Sequence, residues 1–424
     1  MSQIKNSELQ TLSPQFLSRD TNSPLPEGWR WVRLGEVCEI NPPRPKNFNR
    51  HPHTPTTFVP MAAVDEKTGT IAKVEIVPYS KVAKGYTYFE ENDVLFAKIT
   101  PCMQNGKHVI ARNLIDGVGF GTTEFHVLQS KNEVLPEWIY FFIRQQYFLR
   151  EATAYFTGAV GQQRIPEYFL SDYIIPLPPL KDQHRITAKL QELMQEVERA
   201  RNAVEKQLEA AKSLPSAYLR EVFESEEAKK WERKRLGEVC EVVIGSTPRT
   251  DDPTNWNGEI LWATPNDMGK LTGFTIDDTE RKISKKGFDG CSTKLLPPGS
   301  VLLTTRAPIG HLAINTKPMC TNQGFKSLIP SSNTHNWFLF FALKYFIPVL
   351  QSMGRGQTFM EISKGQVESF EIPLPSLPKQ ENIAAELKEK MTQVENLHSS
   401  ILNQQSALDA LPQAILRKAF RGEL

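Results

Sequence analysis

The chain has 424 residues, of which 40% are apolar and 23% charged, and its net charge is +2. That composition excludes a disordered or fibrous chain, and the length predicts two or three domains with ample core for each. It also sets aside the strongly basic class of nucleic-acid binders, so any affinity for phosphate has to come from local clusters.

Residues 1–24 form a polar leader without the charged start and apolar stretch of a signal peptide. The longest apolar runs, WIYFFI at 138 and WFLFFAL at 337, fall far short of the roughly 20 residues of a membrane span. Cys38, Cys102, Cys240, Cys291 and Cys320 make no CxxC pair, and an odd count in a long chain points to a reducing cytoplasm. Cys38 and Cys240 are expected to be small buried hydrophobes rather than metal ligands.

From residue 25 to 180 the pattern is that of a mixed globular domain. Short apolar runs such as DVLFAKI (93–99) sit between Gly, Pro, Asn and Asp, as strands between turns do, and one helix is expected over 138–150. Residues 181–230 then change period. Ile186, Leu190, Leu193, Val197 and Val204 fall on a heptad, the spacing of a coiled-coil seam, with Asp182 as a capping residue. Leu214 precedes a proline that disfavours continuing the helix, which predicts about 32 residues and a length of roughly 48 Å.

At residue 231 the chain begins again. WRWVRLGEVCE (29–39) returns as WERKRLGEVCE (231–241), eight identities in eleven positions. IPLPPL (175–180) returns as IPLPSL (372–377), and Tyr173 to Glu226 laid over Phe370 to Glu423 gives 22 identities in 54 positions. The chain is a tandem duplication, with a second mixed domain over 231–377, holding SVLLTTR (300–306) and a helix over 337–347, and a second helical segment over 378–424. Its seam is Ile383, Leu387, Val394, Leu397, Ile401 and Leu408. Gln207 and Gln404 occupy one heptad position in each helix, either inside the seam to fix register or at its solvent edge. Like surfaces pair most simply about a two-fold axis, so the fold class is α+β with the two helices paired as an antiparallel coiled coil. The two domains share a frame but differ in their middles, where NPPRPKNFNRHPHTP (41–55) faces GSTPRTDDPTNWNG (245–258). Unlike heads on a rod suit a target of two unlike pieces at a fixed separation.

In this order the motifs resemble those of the specificity subunit of type I restriction-modification systems over essentially the whole chain after the leader. The residues that carry the resemblance are WxxxRLGEVCE at each repeat, GFGTTEFHVL (119–128), GQQRIPEYFL (161–170), RAPIG (306–310) with TNQGFKSLIP (321–330), the IPLP segments with their helices, and LPQAILRKAFRGEL. The resemblance implies that each globular part is a target-recognition domain reading one half of a bipartite site in double-stranded DNA. It implies that the helices set the gap and dock two modification subunits. It places no cofactor in this chain: S-adenosylmethionine belongs to the modification subunits, and ATP and Mg to restriction subunits where these join.

Base readout needs Arg or Lys for guanine and Asn or Gln for adenine, on loops able to enter a groove. In the first head these are Lys98, Asn105, Lys107, Gln162, Gln163 and Arg164; in the second, Thr247, Arg249, Trp256, Asn257, Arg306, Asn322, Gln323, Arg355 and Gln357. Basic loop clusters stand at Arg44, Lys46 and Arg50 and at Arg281, Lys282, Lys285 and Lys286. The run INPPRP (40–45) suggests the base pocket of adenine amino-methyltransferases, but Arg44 stands where an aromatic belongs and no Gly-rich nucleoside turn accompanies it. His51 and His53 lack a Cys or acidic partner nearby, so neither a metal site nor catalysis is expected. The alternatives are a stand-alone regulator, for which no helix-turn-helix signature exists, and a scaffold that joins subunits through the helices without touching DNA.

Overall fold

A computed structural model describes residues 24–66, 68–159, 162–306, 308–354 and 361–424. The leader before Pro24, and with it Arg355 and Gln357, lies outside the described residues. The chain divides into two compact units, Met1–Ala203 with Gln405–Leu424, and Val204–Gln404. Each unit therefore holds one head, part of its own long helix, and part of the long helix of the other repeat.

Both heads open on the repeated motif, and the structure gives its purpose. In the first, Arg30–Arg33 pairs antiparallel with Ile174–Leu177, so the start of the head is clasped to the strand that leads into the long helix. One turn of helix follows at Leu34–Val37, then the strand Cys38–Ile40. Leu34 is fully buried, and its amide donates to the Tyr173 carbonyl at 2.8 Å. The second head repeats each step: Glu232–Arg235 pairs with Glu371–Leu374, and the Leu236 amide donates to the Phe370 carbonyl at 2.9 Å. Cys38 and Cys240 are buried free thiols, pushed up to about 12 by burial, and they pack in the core as small hydrophobes.

Besides the clasp, the described residues of the first head form two four-stranded sheets. An antiparallel sheet joins Cys38–Ile40, Phe125–Ser130, Val94–Ala97 and His108–Ile110. A mixed sheet joins Glu75–Pro78, Pro55–Val59, Val118–Gly121 and Thr87–Glu90. The second head has a five-stranded sheet, Cys240–Ile244, Lys326–Pro330, Val301–Leu303, Leu312–Asn315 and Thr275–Ile276, and a three-stranded one of Lys282–Ile283, Trp256–Ala263 and Met319–Thr321. The shared frame is thus the antiparallel sheet beside the clasp, and the heads diverge away from it. The helix expected over 138–150 is two helices, Pro136–Ile143 and Gln146–Ala154. At the break Arg144 sends its guanidinium to the carbonyls of Glu66 and Gly106, at 3.0 and 3.1 Å.

The long helices exceed the expected 32 residues. They run over Leu180–Phe223 and Leu377–Ala419, 44 and 43 residues, straight through Pro215 and Pro412. Each proline removes one ladder donor, a loss of about 3 kcal/mol in an isolated helix. Packing beyond the proline offsets it, because Leu219 and Phe223 enter the second head's core, and Leu416, Ala419 and Phe420 the first's. Asp182 sits inside the first turn rather than at its cap. The pairing is antiparallel within each unit. In the first, Arg201 reaches Asp409 at 3.0 Å while Arg185 donates to the Leu424 carbonyl at 2.9 Å. In the second, Lys390 reaches Glu221 at 3.4 Å and Lys379 reaches Glu227 at 3.0 Å.

Seam residues Ile186, Leu190, Val197, Val204, Ile383, Leu387, Val394 and Ile401 are buried, and Leu193 and Leu408 half-buried. Leu397 is a correction, since it is 45% exposed. Leu387, Val394 and Ile401 keep the seven-residue spacing, and Met391 rather than Leu397 is buried beside them. Gln207 and Gln404 are both exposed, at the solvent edge.

Asp93, in the turn between two strands of the first head, is buried with its carboxylate accepting from the Glu90 amide at 2.7 Å. Burial raises its pKa to about 6. The folded state then holds the proton more tightly than the unfolded chain, so this residue's favourable contribution is present below pH ~4 and lost as pH rises toward 6. Asp93→Asn is expected to flatten the dependence of unfolding free energy on pH in that window, measured by urea titration at several pH values.

Candidate nucleic-acid interface

In each head three segments meet where the shared sheet ends, and their backbones bond alike. In the first, the Lys98 amide donates to the Glu124 carbonyl at 2.9 Å, and the Ile165 amide to the Lys98 carbonyl at 2.9 Å. In the second, the Thr305 amide donates to the Gly324 carbonyl at 2.8 Å, and the Ile362 amide to the Thr305 carbonyl at 2.9 Å. Isolated bridges Ile99 to Arg164 and Arg306 to Glu361 complete the match. One frame therefore presents Lys98, Glu124, Arg164 and His126 in the first head and Thr305, Gly324, Glu361 and Lys326 in the second.

The side chains on that frame are wired differently. Arg164 grips Glu124 with two parallel hydrogen bonds of 2.8 and 2.7 Å and donates to the Gln162 carbonyl at 2.9 Å. This bidentate pairing holds the Glu124 carboxyl below its ordinary range. Burial pushes the neighbouring Lys98 ammonium down, while Glu124 draws it back up. His126 is buried, which pushes its imidazolium down, with one ring nitrogen 2.8 Å from the Ile165 carbonyl and the other 3.0 Å from the Asn41 amide, which also donates to Glu167 at 2.7 Å. In the second head Lys326, 4% exposed, pairs instead with Glu361 at 2.7 Å.

Of the residues singled out in the first head, Lys98 and Arg164 come together here, with Gln162 and Gln163 beside them. The Gln163 carbonyl accepts from Thr100 at 3.0 Å. Asn105 and Lys107 stand apart: Asn105 lines a cavity of about 930 Å³ bounded by both long helices, and the Lys107 ammonium is spent on the Val64 carbonyl at 2.8 Å.

In the second head, Thr247 bonds Gln323, and the Asn322 side chain accepts from the Gly324 amide at 2.9 Å, near the Arg306 side chain. Gly245 permits this approach, because a Cβ there would lie 2.0 Å from the Asn322 carbonyl oxygen. Arg249 pairs with Asp251 at 3.0 Å, and its carbonyl accepts from the Trp256 indole at 3.3 Å. Asn257 is exposed at φ 58°. Arg281 stacks over Trp256 with its guanidinium carbon 3.7 Å from the ring centroid. Sequence reasoning missed Glu124, His126, Asn41, Glu361 and Lys326, since single polar residues in strands and turns carry no periodic signal.

The family model for the type I restriction modification DNA specificity domain matches residues 26–209 and again residues 228–405. The chain belongs to that family. Among curated relatives, the type I restriction enzyme EcoEI specificity subunit of Escherichia coli is 36% identical over 194 residues, 45% of this chain but only 32% of that relative's length. The matched stretch therefore spans about a third of that relative's length. Two solved structures extend the likeness to the whole fold. The HsdS subunit from Thermoanaerobacter tengcongensis is 28% identical, with a TM-score of 0.71 over 95% of this chain and 99% of that one. A chain solved in work on complex assembly and conformational transition of the type I R-M system is 29% identical, with a TM-score of 0.75 over 95% of this chain and 100% of that one. Tandem mixed domains and paired long helices are thus the architecture of this family. Among the described residues no helix is long and apolar enough to cross a membrane.

Proposed function

We propose that this chain is the DNA-reading subunit of a type I restriction-modification complex, with each head reading one half of a bipartite site. The observation that carries it is the junction present in both heads, one backbone frame with unlike polar side chains. A frame kept while its contents change is what two readers of two different sequences require, and the twofold match to a DNA specificity domain supports it. A scaffold that only joined subunits would need the helices alone.

The antiparallel helices fix the gap between the half-sites and dock two modification subunits, which bring S-adenosylmethionine and flip the target base. Restriction subunits, where they join, bring ATP and Mg. This chain itself contributes recognition and no chemistry. Its near-neutral charge keeps its own affinity for DNA low and makes it dependent on those partners.

The test is methyl transfer. The purified chain alone should transfer no methyl group to DNA, and with two modification subunits it should direct adenine methylation to a site of two short halves separated by unspecified base pairs. Methyl transfer by the isolated chain, or methylated adenines without a shared bipartite context, would overturn the reading.

A further inference from the structure

Beside the junction of the first head lies a cleft of about 610 Å³, lined by Asn41, Arg44, Lys84, Tyr86, Tyr88 and Lys98 among others. Its charge is one-sided. Three cations face it and no carboxylate lines it, in a chain whose 50 basic residues are otherwise matched by 48 acidic ones. The larger cavity of the same unit is mixed, with Glu66, Glu137 and Glu198 set among Arg112, Arg144 and Arg201.

We propose that this cleft seats one unstacked nucleotide of a DNA strand, its phosphate on Lys84 and Arg44, its base against Tyr86 and its base edge on Lys98. The inference rests on the DNA-reading function proposed above and assigns it a site. Lys98 supplies the first reason. Its carboxylate neighbours are engaged elsewhere, Glu124 by Arg164 and Glu167 by the Asn41 amide, and within the described residues the half-buried ammonium has no hydrogen-bonded acceptor. A donor held partly out of water without an acceptor is satisfied by one the ligand brings.

The aromatic wall supplies the second. Tyr86 is 43% exposed and is buttressed by Phe58, with ring centroids 5.0 Å apart, so its position is fixed while its surface stays open. Tyr88 and Phe120 continue the wall, 5.6 Å apart. Stacking on such a platform tolerates any base, since every base offers a π-face. Arg44 is anchored at the rim by hydrogen bonds to the Tyr79 hydroxyl and the Ala83 carbonyl, at 3.1 and 3.0 Å. Gly85, at φ 80° and with open space where a Cβ would point, leaves the strand room to approach.

The third reason is shape. Base edges in a duplex groove are read by side chains that protrude, whereas a concave cleft admits a base only after it leaves the stack.

The test uses the full chain and a short oligothymidylate carrying one 5-iododeoxyuridine. Irradiation should cross-link the base to Tyr86 or Tyr88. Tyr86→Ala and the exposed Lys84→Glu should each weaken binding of the same single strand about tenfold, the scale of one lost stacking or phosphate contact. Tyr86→Phe should bind as the parent does, and the variants' unfolding midpoints should match it. Cross-links mapping elsewhere, or variants that bind unchanged, would overturn the cleft assignment. Adenine mapping with the parent complex separates the two ideas: bipartite methylation without cleft cross-links removes the cleft and leaves the function, whereas absent bipartite methylation removes the function.

Discussion

Replacing Gln183 by leucine is expected to destabilise the unit containing the first head by about 3 kcal/mol, and Gln380→Leu should do the same to the other unit. Each glutamine sits in the first turns of a long helix, 0% and 1% exposed. The Gln183 carbonyl accepts from the Leu135 amide at 2.8 Å, and its amide donates to the carbonyls of Glu133 and Pro178 at 2.9 and 2.8 Å. Gln380 repeats the pattern with the His335 amide at 2.8 Å and the carbonyls of Asn333 and Pro375 at 3.1 and 2.9 Å. One side chain thus ties three backbone points of the head to the helix. Leucine fills the volume but leaves those groups buried and unpaired, at about 1–3 kcal/mol for each group that water cannot reach. Urea unfolding of the full chain measures the loss, and a change below about 1 kcal/mol would mean that the three glutamine bonds do not hold the head to the helix.

The second large effect lies at Phe420. Its ring is 4.5 Å from Trp138 and 5.2 Å from Phe142, centroid to centroid, inside the first head's core. Phe420→Ala should cost about 3–5 kcal/mol, the usual loss for a buried aromatic. The loss should be local. Amide exchange should accelerate in the first head while amides of Val204–Gln404 keep their protection. Equal acceleration in both units would contradict the assignment of residues 405–424 to the first head.

These residues mark the boundary of what the sequence reveals. The duplication and the helical seam were legible because each is repeated or periodic, and the strands Val94–Ala97 and Val301–Leu303 because apolar runs stand between turn residues. Helix ends were not: a proline is a local signal, and the cores that draw the chain past Pro215 and Pro412 are built from residues far away in sequence. The same holds for the division into units, in which residues 405–424 join a head that begins nearly four hundred positions earlier. Gln183 and Gln380 were visible as identities, but their three-way bonding depends on tertiary contacts. Type and loop position singled out Lys98 and Arg164 as candidates, and the structure brings their segments to one junction. Nothing in the sequence told that Glu124 would occupy the Arg164 fork, since that pairing joins segments 40 residues apart.

The most direct measurement of the central claim is to exchange one head and map methylated adenines. Residues 41–170 would be replaced by the corresponding segment of another family member, leaving both clasps and both helices in place. The chimera would be expressed with the modification subunits, and methylated positions read genome-wide. The account predicts that one half of the methylated sequence changes while the other half and the gap between them stay as they were. Changes in both halves at once, or an unchanged site, would contradict the claim that each head reads separately.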